Sequence, residues 1–255
     1  MQTTDSFKTN LSACILVIGN ELLSGQIRDE NLHYLSKQLH EMGIHLQEAR
    51  FIQDVTTDIV EAVREAHRRY DYVFTTGGIG PTHDDITAAS IAQAFRVPLV
   101  CSVEAYQKMT RKYPDSKASE ALARMSLVPQ GAHLIHNTVS AAPGFQVKNV
   151  FVLAGVPEIM RAMFEECSKK LQKGTVPFCR EVIVNIVEGL LAKDLETLQK
   201  HYQSTEIGSY PFKPAPTSHA VRVVIKGFVE EDVLAVADRV IALSQQHENK
   251  TQVAR

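Results

Sequence analysis

Residues 72–87, YVFTTGGIGPTHDDIT, pass from the pattern of a buried strand into a glycine-rich loop and two adjacent aspartates. The start of the stretch is rich in aromatic and β-branched residues, which favour strands. The glycines at 77, 78 and 80 and Pro81 then predict a turn. Two interpretations of the loop stay open. Either the glycines supply positive φ for a tight turn, or their bare backbone leaves room for a phosphate.

Strand and helix patterns alternate on both sides of this stretch. The continuous apolar run at 13–19 and the segment HLQEARFI at 45–52 predict strands, and apolar residues at helical spacing follow each of them. Asp58 and Glu61 have the spacing of a capping box at one helix start. The alternation predicts a mostly parallel sheet with helices on both sides. Ligands of such folds bind beyond the carboxyl ends of the strands, where the glycine loop would lie.

The pattern changes near residue 173, from which shorter strand and helix signals follow. REVIVNIVE at 180–188 alternates like a strand, and a long amphipathic helix is predicted near the carboxyl end. This is typical of a small α+β unit of the split β-α-β kind. We therefore predict two domains, at residues 11–172 and 173–255.

Composition indicates an ordinary globular protein. The 255 residues are 44% hydrophobic and 22% charged, with a formal net charge of -2, so we expect neither a nucleic-acid partner nor an anionic membrane partner. Four widely spaced cysteines show no C-x-x-C pair and predict free thiols in a reducing compartment. No run of 18 uncharged apolar residues occurs. We expect a cytoplasmic protein.

Asp84 and Asp85 follow the glycine loop, and three interpretations of them stay open. They could stabilise the start of a helix with Thr82 as its N-cap, at about 0.3–1 kcal/mol for each carboxylate. They could instead hold a divalent cation such as Mg²⁺, Mn²⁺ or Co²⁺ against a substrate phosphate. In the third, one aspartate caps backbone N–H groups while the other faces the ligand.

Two further segments are predicted to face the same crevice. Glu21, in the loop after the first strand, is a third candidate metal ligand beside Asp84 and Asp85. A third wall is also predicted from Asn137, Ser140, Pro143 and Gly144, within the turn-rich segment 131–145. The predicted cofactor-binding residues are Gly19, Glu21, Ser24, Gly25, Thr76, Gly77, Gly78, Gly80, Pro81, Thr82, Asn137, Ser140, Pro143 and Gly144. The lysine of a P-loop is absent from the glycine loop.

Five segments, taken together and in order, resemble a known family. They are IGNELLSGQIRDEN (18–31), TTGGIGPTHDDIT (75–87), NTVSAAPGF (137–145), VFVLAGVPEIM (150–160) and EIGSYPF (206–212). Their order is similar to that in the CinA amino-terminal family (competence/damage-inducible protein A), over about residues 13–228. The resemblance implies a three-layer α/β/α domain of the molybdopterin-binding fold of MoaB and MogA, followed by a small α+β domain.

The resemblance also implies self-association, because proteins of this fold are commonly oligomeric, and a partner that is a small-molecule nucleotide or pterin phosphate. It implies a function as well. Longer CinA-type members are associated with metal-dependent hydrolysis of ADP-ribose, and a related domain of eukaryotic FAD synthases with FAD hydrolysis. The MogA and MoaB branch adenylates molybdopterin. We expect a metal-dependent nucleotide pyrophosphatase with Asp84 and Asp85 as catalytic residues, with pterin adenylylation or non-catalytic pterin or nucleotide binding as alternatives.

The sequence departs from the family pattern at two motif positions. Asn20 stands where Asp or Thr is frequent, and Ala154 replaces a proline. Because the chain ends at residue 255, we also expect no nicotinamide-mononucleotide deamidase domain, which is the carboxyl-terminal domain of full-length CinA. That activity is not inferred for this chain.

Overall fold

A computed structural model of the protein describes residues 11–114, 119–213 and 219–253. The chain divides into two compact units, Met1–Gly174 and Thr175–Arg255. The first unit contains β1 (Leu11–Ile18), α1 (Asn20–Leu23), α2 (Asn31–Glu41), β2 (Ile44–Ile52), α3 (Thr56–Arg69), β3 (Tyr72–Thr76), α4 (Thr87–Phe95), β4 (Leu99–Cys101), α5 (Val103–Lys112), α6 (Ser119–Met125), β5 (Leu127–Pro129), β6 (His133–Ile135), β7 (Gly144–Val147), β8 (Val150–Leu153) and α7 (Pro157–Ser168). The second contains β9 (Phe178–Val184), α8 (Glu188–His201), β10 (Thr205–Phe212), β11 (Ala220–Gly227) and α9 (Glu230–Val253).

A six-stranded sheet in the order β2-β1-β3-β8-β7-β6 forms the centre of the first unit. Neighbours among β2, β1, β3 and β8 are parallel, while β7 is antiparallel to both β8 and β6. All eight residues of β1 are buried, as expected for a strand covered on both faces. The predicted mostly parallel sheet is confirmed.

Helices cover both faces of this sheet, which gives the three-layer α/β/α arrangement implied by the family resemblance. On one face, Val63 of α3 and Ile91 of α4 are part of the core. On the other, Leu35 of α2 packs with Phe164 of α7. Burial of side chains of this size stabilises the fold by about 1.5–3 kcal/mol each. The hydrophobic cores on the two faces fix the strands, and with them the positions at which the loops at their carboxyl ends begin.

The second unit is built on a three-stranded antiparallel sheet in the order β10-β11-β9. β11 lies between the two strands that α8 connects, so the predicted split β-α-β arrangement is confirmed. Its core contains Leu191 of α8, Val223 of β11 and Val236 of α9. This unit thus has a hydrophobic core of its own.

Two predicted helix starts are wrong. Helix α3 begins at Thr56 after Val55, without a side-chain cap hydrogen bond, so Asp58 and Glu61 form no capping box. Helix α4 begins at Thr87 after Ile86, which puts both aspartates of the DD pair before the helix. The DD pair therefore belongs to the loop, and Thr82 is not the N-cap.

The cysteines are free thiols, as predicted. Cys14 and Cys167 are buried, and burial raises the pKa of each thiol to about 12. Cys101 and Cys179 are exposed. In the part of the chain that the structure describes, no helix combines the length and apolar character needed to cross a bilayer.

Candidate functional site

A cleft of about 540 Å³ lies at the carboxyl ends of β1, β3 and β8, a volume typical of small-molecule sites. Its walls come from the segment after β1, the loop after β3, the loop before β7 and the connection from β8 to α7. Of the residues predicted from the sequence, those lining it are Glu21, Thr76, Gly77, Gly78, Gly80, Pro81, Asp85 and Ser140. The structure thus brings the two glycine-containing segments into one cavity.

The first two glycines after β3 are required by the backbone itself. Gly77 and Gly78 have φ of 99° and 68°, values that L side chains rarely adopt. A Cβ at Gly77 would lie 2.1 Å from the carbonyl oxygen of Ile18, and one at Gly78 would lie 2.1 Å from Oγ1 of Thr87. The tight-turn interpretation therefore has direct support, and the same bare backbone lines the cleft.

Asp85 folds back onto its own loop. Its Oδ1 accepts the N–H of Gly80 at 2.7 Å, and its Oδ2 accepts the N–H of Thr82 at 2.7 Å and the Thr82 hydroxyl at 2.6 Å. Asp85 is therefore the aspartate that caps backbone N–H groups, in the manner of the third interpretation. A side chain at Gly80 would collide with this carboxylate, because its Cβ would lie 2.7 Å from Oδ2.

This arrangement corrects one part of the phosphate hypothesis. The N–H groups of Gly80 and Thr82, which were expected to hold a phosphate, already donate to Asp85. The N–H of Gly77 donates to the carbonyl of Leu153 at 3.2 Å, and Pro81 has no N–H. The remaining N–H groups of residues 77–82 are those of Gly78 and Ile79.

Asp84 lies outside the cleft lining formed by the described residues. Its side chain is 61% exposed, and its Oδ1 accepts the Thr82 hydroxyl at 2.6 Å. This hydrogen bond lowers the pKa of the Asp84 carboxyl, so it stays ionised at neutral pH. The Thr82 hydroxyl has one proton, which the two neighbouring aspartates share. Arg124 donates to the Thr82 carbonyl at 2.8 Å and anchors the loop to α6.

Glu21 enters the cleft from α1. Its carboxylate lies over Gly19, where a Cβ would be 2.5 Å from Oε1. Ser24 donates its hydroxyl to the Glu21 carbonyl at 3.2 Å, and Gly25 adopts a φ of 72° as the chain turns. Gly19, Ser24 and Gly25 thus shape the segment that carries Glu21 without lining the cleft themselves.

Asn20 pairs with a residue that the sequence did not single out. Its N–H donates to Oδ2 of Asp54 at 2.8 Å, and its Oδ1 accepts the Asp54 N–H at 3.3 Å. This reciprocal pair ties the segment after β1 to the end of β2.

The third predicted wall is a loop held by its own side chains. Asn137 donates to the Ala142 carbonyl at 2.9 Å and accepts the N–H of Ser140 at 2.5 Å. Only Ser140 of the predicted wall residues lines the cleft, while Pro143 lines a smaller cavity of about 180 Å³. Gly144 allows close pairing with β8, since its Cβ would lie 2.4 Å from the Val152 carbonyl oxygen.

The carboxylates do not form a complete metal cage. Across the described residues, no three His, Cys, Asp or Glu side chains come together as a metal site. Glu21 and Asp85 do line the same cleft. Mg²⁺ is usually held by one or two carboxylates together with substrate phosphate and water. Two carboxylates in one cleft fit that mode of binding.

Asn31 is a cleft residue for which the sequence predicted no role. It is the first residue of α2 and is buried, and its Nδ2 donates to the Gly155 carbonyl at 2.7 Å. Leu35 and Leu39 are buried on the same helix at four-residue spacing. A polar residue in such an apolar stripe is a signal that could have identified it. Other cleft residues without a predicted role include Arg28, Asp29, Glu30 and Met125.

Comparisons with known proteins extend over both units. Residues 14–173 match the family model "Probable molybdopterin binding domain", and residues 177–252 match "FAD synthase, middle domain". A protein of Archaeoglobus fulgidus is 40% identical over 198 residues, which cover 77% of this chain and 84% of that protein.

Two other relatives are longer than this chain. A "Probable FAD synthase" of Caenorhabditis briggsae is 32% identical over 78% of this chain and 43% of its own length. A "CinA-like protein" of Thermosipho melanesiensis is 31% identical over 76% of this chain and 50% of its own length. This chain therefore matches half or less of each.

A solved structure shares the architecture of the first unit. The crystal structure of the protein CinA from Thermoplasma acidophilum superposes with a TM-score of 0.60 at 28% identity, covering 64% of this chain and 98% of that chain. Together with the match of residues 14–173, this confirms the resemblance drawn from the sequence motifs. The chain belongs to the CinA amino-terminal family, whose first domain is of the molybdopterin-binding kind.

Proposed function

We propose that the protein hydrolyses the diphosphate linkage of a nucleotide such as ADP-ribose or FAD with the help of a divalent cation. One observation carries this proposal: Glu21 and Asp85 line the same cleft as the bare backbone of Gly77 and Gly78. Backbone without side chains suits a diphosphate, and carboxylates suit the cation that accompanies it. The similarity to proteins described as CinA-like and as FAD synthases supports the same substrate class.

The residues in and beside the cleft have different roles in the proposed reaction. The diphosphate lies against the glycine side of the cleft, where no side chain blocks it. Glu21 and Asp85 are the residues that would hold the cation, which would supply positive charge to the diphosphate when bound. Asp84, ionised and exposed beside the loop, adds negative charge at the rim and draws the cation toward the site. The loop keeps its shape because Asp85 also accepts the N–H groups of Gly80 and Thr82.

The test is a product screen by mass spectrometry. Purified protein is incubated separately with ADP-ribose, FAD, NAD, and ATP plus a pterin, each with Mg²⁺, Mn²⁺ or Co²⁺ and with chelator. We expect AMP from ADP-ribose or FAD in the presence of metal and none with chelator. The absence of cleavage products under every condition would overturn the proposal.

A second candidate is adenylyl transfer to a pterin phosphate. It is favoured by the match of residues 14–173 to a molybdopterin-binding domain model. Formation of an adenylylated pterin from ATP in the same screen would identify it. A third outcome, pterin or nucleotide binding without any product, would identify a binding module.

A further inference from the structure

Two side chains of the cleft carry a buried polar atom that no part of the described chain satisfies. Asn31 is 5% exposed and Thr76 is 1% exposed. Asn31 Oδ1 and Thr76 Oγ1 have no hydrogen-bond partner among the described residues, and both residues line the cleft. Buried polar atoms are nearly always hydrogen-bonded in folded proteins. Two exceptions at one cavity point to a ligand that supplies the missing partners.

The orientation of the Asn31 amide follows from its other contact. The Gly155 carbonyl oxygen can only accept a hydrogen bond, and it lies 2.7 Å from the amide nitrogen of Asn31. The NH₂ group must therefore face Gly155, which leaves Oδ1 as the unpartnered atom. That atom is an acceptor without a proton, so its partner must be a donor.

The two atoms without a hydrogen-bond partner, Asn31 Oδ1 and Thr76 Oγ1, belong to residues at the same end of the cleft. Gly155 packs against Gly77, because a Cβ at Gly155 would lie 3.3 Å from the Gly77 Cα. Gly77 directly follows Thr76, and Gly155 receives the Asn31 hydrogen bond. Leu22, Ile159 and Met163 line the cleft as well and pack against the core on the face that α2 and α7 cover.

We propose that Asn31 and Thr76 form a donor-recognition pair, which binds an uncharged N–H or O–H group of the ligand. An acceptor-only amide oxygen in apolar surroundings repels phosphate oxygens, so this end takes the uncharged part of the ligand. The phosphates then lie further along the glycine loop, beside the N–H groups of Gly78 and Ile79, which also line the cleft. The proposal rests on the proposed function only in taking the cleft as the ligand site. The donor is either a ring N–H of a heterocycle or a sugar hydroxyl.

Thr75 offers a matched control. It is the neighbour of Thr76 on β3, it is equally buried, and its hydroxyl also has no partner in the described chain. Successive residues of a strand point to opposite faces, and Thr75 does not line the cleft formed by the described residues. Valine at either position removes the hydroxyl and keeps the branched shape. The two variants therefore differ in their relation to the cleft.

The experiment is calorimetric titration of the full chain and its variants Thr76→Val, Asn31→Leu and Thr75→Val. The probes are pterin, ADP-ribose and inorganic pyrophosphate, and thermal unfolding is measured without ligand. We expect Thr76→Val to weaken pterin or ADP-ribose binding about tenfold or more, and pyrophosphate binding to stay unchanged. Loss for pterin identifies an N–H group of the heterocycle, and loss for ADP-ribose identifies a ribose hydroxyl or the adenine amino group. The unfolding temperature of Thr76→Val should not fall, because an unsatisfied buried hydroxyl is removed.

Asn31→Leu should lose the same affinity but also unfold at a lower temperature, since Gly155 loses its donor. Thr76→Val is therefore the decisive variant, because its loss of affinity is not accompanied by a loss of stability. Thr75→Val should bind all three probes as the unmodified protein does. The proposed role of Asn31 and Thr76 would be contradicted if Thr76→Val bound pterin and ADP-ribose as tightly as the unmodified protein does. It would also be contradicted if Thr76→Val bound pyrophosphate more weakly, or if the unmodified protein bound neither pterin nor ADP-ribose. Donor-dependent binding without turnover would instead contradict the proposed hydrolysis and leave the pair standing.

Discussion

At the scale of single residues, the glycine loop is constrained by its backbone before any ligand is considered. Gly77 combines a φ of 99° with a Cβ position 2.1 Å from a carbonyl oxygen. The sequence identified this loop because glycine and proline clusters mark turns. It left the turn and the phosphate hypotheses equally open, since both need glycine at the same positions.

Gly77→Ala should destabilise the protein by more than Gly25→Ala. Gly25 has a φ of 72°, and apart from its chain neighbours no described residue has an atom within 4 Å of its Cβ position, so alanine there meets only the conformational cost of about 1–2 kcal/mol. At Gly77 the collision with the Ile18 carbonyl is added. Chemical denaturation of both variants measures the difference, and equal losses would contradict the close approach.

Asp85→Asn and Asp84→Asn separate the two neighbouring aspartates. Asparagine at 85 keeps one acceptor oxygen and turns an NH₂ group toward a donor, so we expect a loss of about 1–3 kcal/mol in unfolding free energy. Asparagine at 84 replaces an exposed carboxylate, and we expect a change within about 0.5 kcal/mol. A result in which both variants are equally stable would show that Asp85 does not hold the loop.

At the scale of elements, a charged network ties β2 to α3. Arg50 bonds to Glu48 and, at 2.6 Å, to Glu65, and the Tyr70 hydroxyl donates to Glu48. These hydrogen bonds, first from Arg50 and then from Tyr70, lower the pKa of Glu48 to about 2. Sequence periodicity predicted β2 and the body of α3, but a hydrogen-bond network between the two elements depends on tertiary contacts that periodicity does not contain.

The pH dependence of stability should report this network. The folded pKa of Glu48 lies below its ordinary value of 4.5, so its contribution is complete above about pH 5 and is lost as pH falls toward 2. Between about pH 5 and pH 2, Glu48→Gln should therefore take up as much as about one proton fewer on unfolding than the unmodified protein does. Unfolding free energies measured from pH 6 to pH 3 test this, and parallel curves for the two proteins would rule out the depressed pKa.

Helix boundaries were the weakest element-scale predictions, for a physical reason. The aspartates at 84 and 85 were expected in the first turn of α4, but α4 begins at Thr87. The Asp85 carboxylate satisfies N–H groups of the preceding loop instead of helix N–H groups. Aspartate caps either structure, and the sequence alone does not distinguish the two.

At the scale of the whole molecule, the order of strands and helices predicted the sheet and the edge at which ligands bind. Alternation of β1, β3 and their helices placed Glu21 and Gly77 at the carboxyl edge, and the structure has both in one cleft. The sequence predicted no role for Asn31, because this side chain is held in the cleft by a hydrogen bond to Gly155, 124 residues further along the chain. Contacts at that separation follow only from the folded chain.

The most direct test of the proposed function compares Glu21→Gln with the unmodified protein. AMP release from ADP-ribose and FAD is followed by mass spectrometry with Mg²⁺, Mn²⁺ or Co²⁺ and with chelator. We predict metal-dependent AMP release by the unmodified protein and a loss on the order of 10²–10³-fold in Glu21→Gln, with Glu41→Gln on the exposed end of α2 as an active control. No AMP from the unmodified protein, or undiminished release by Glu21→Gln, would contradict it.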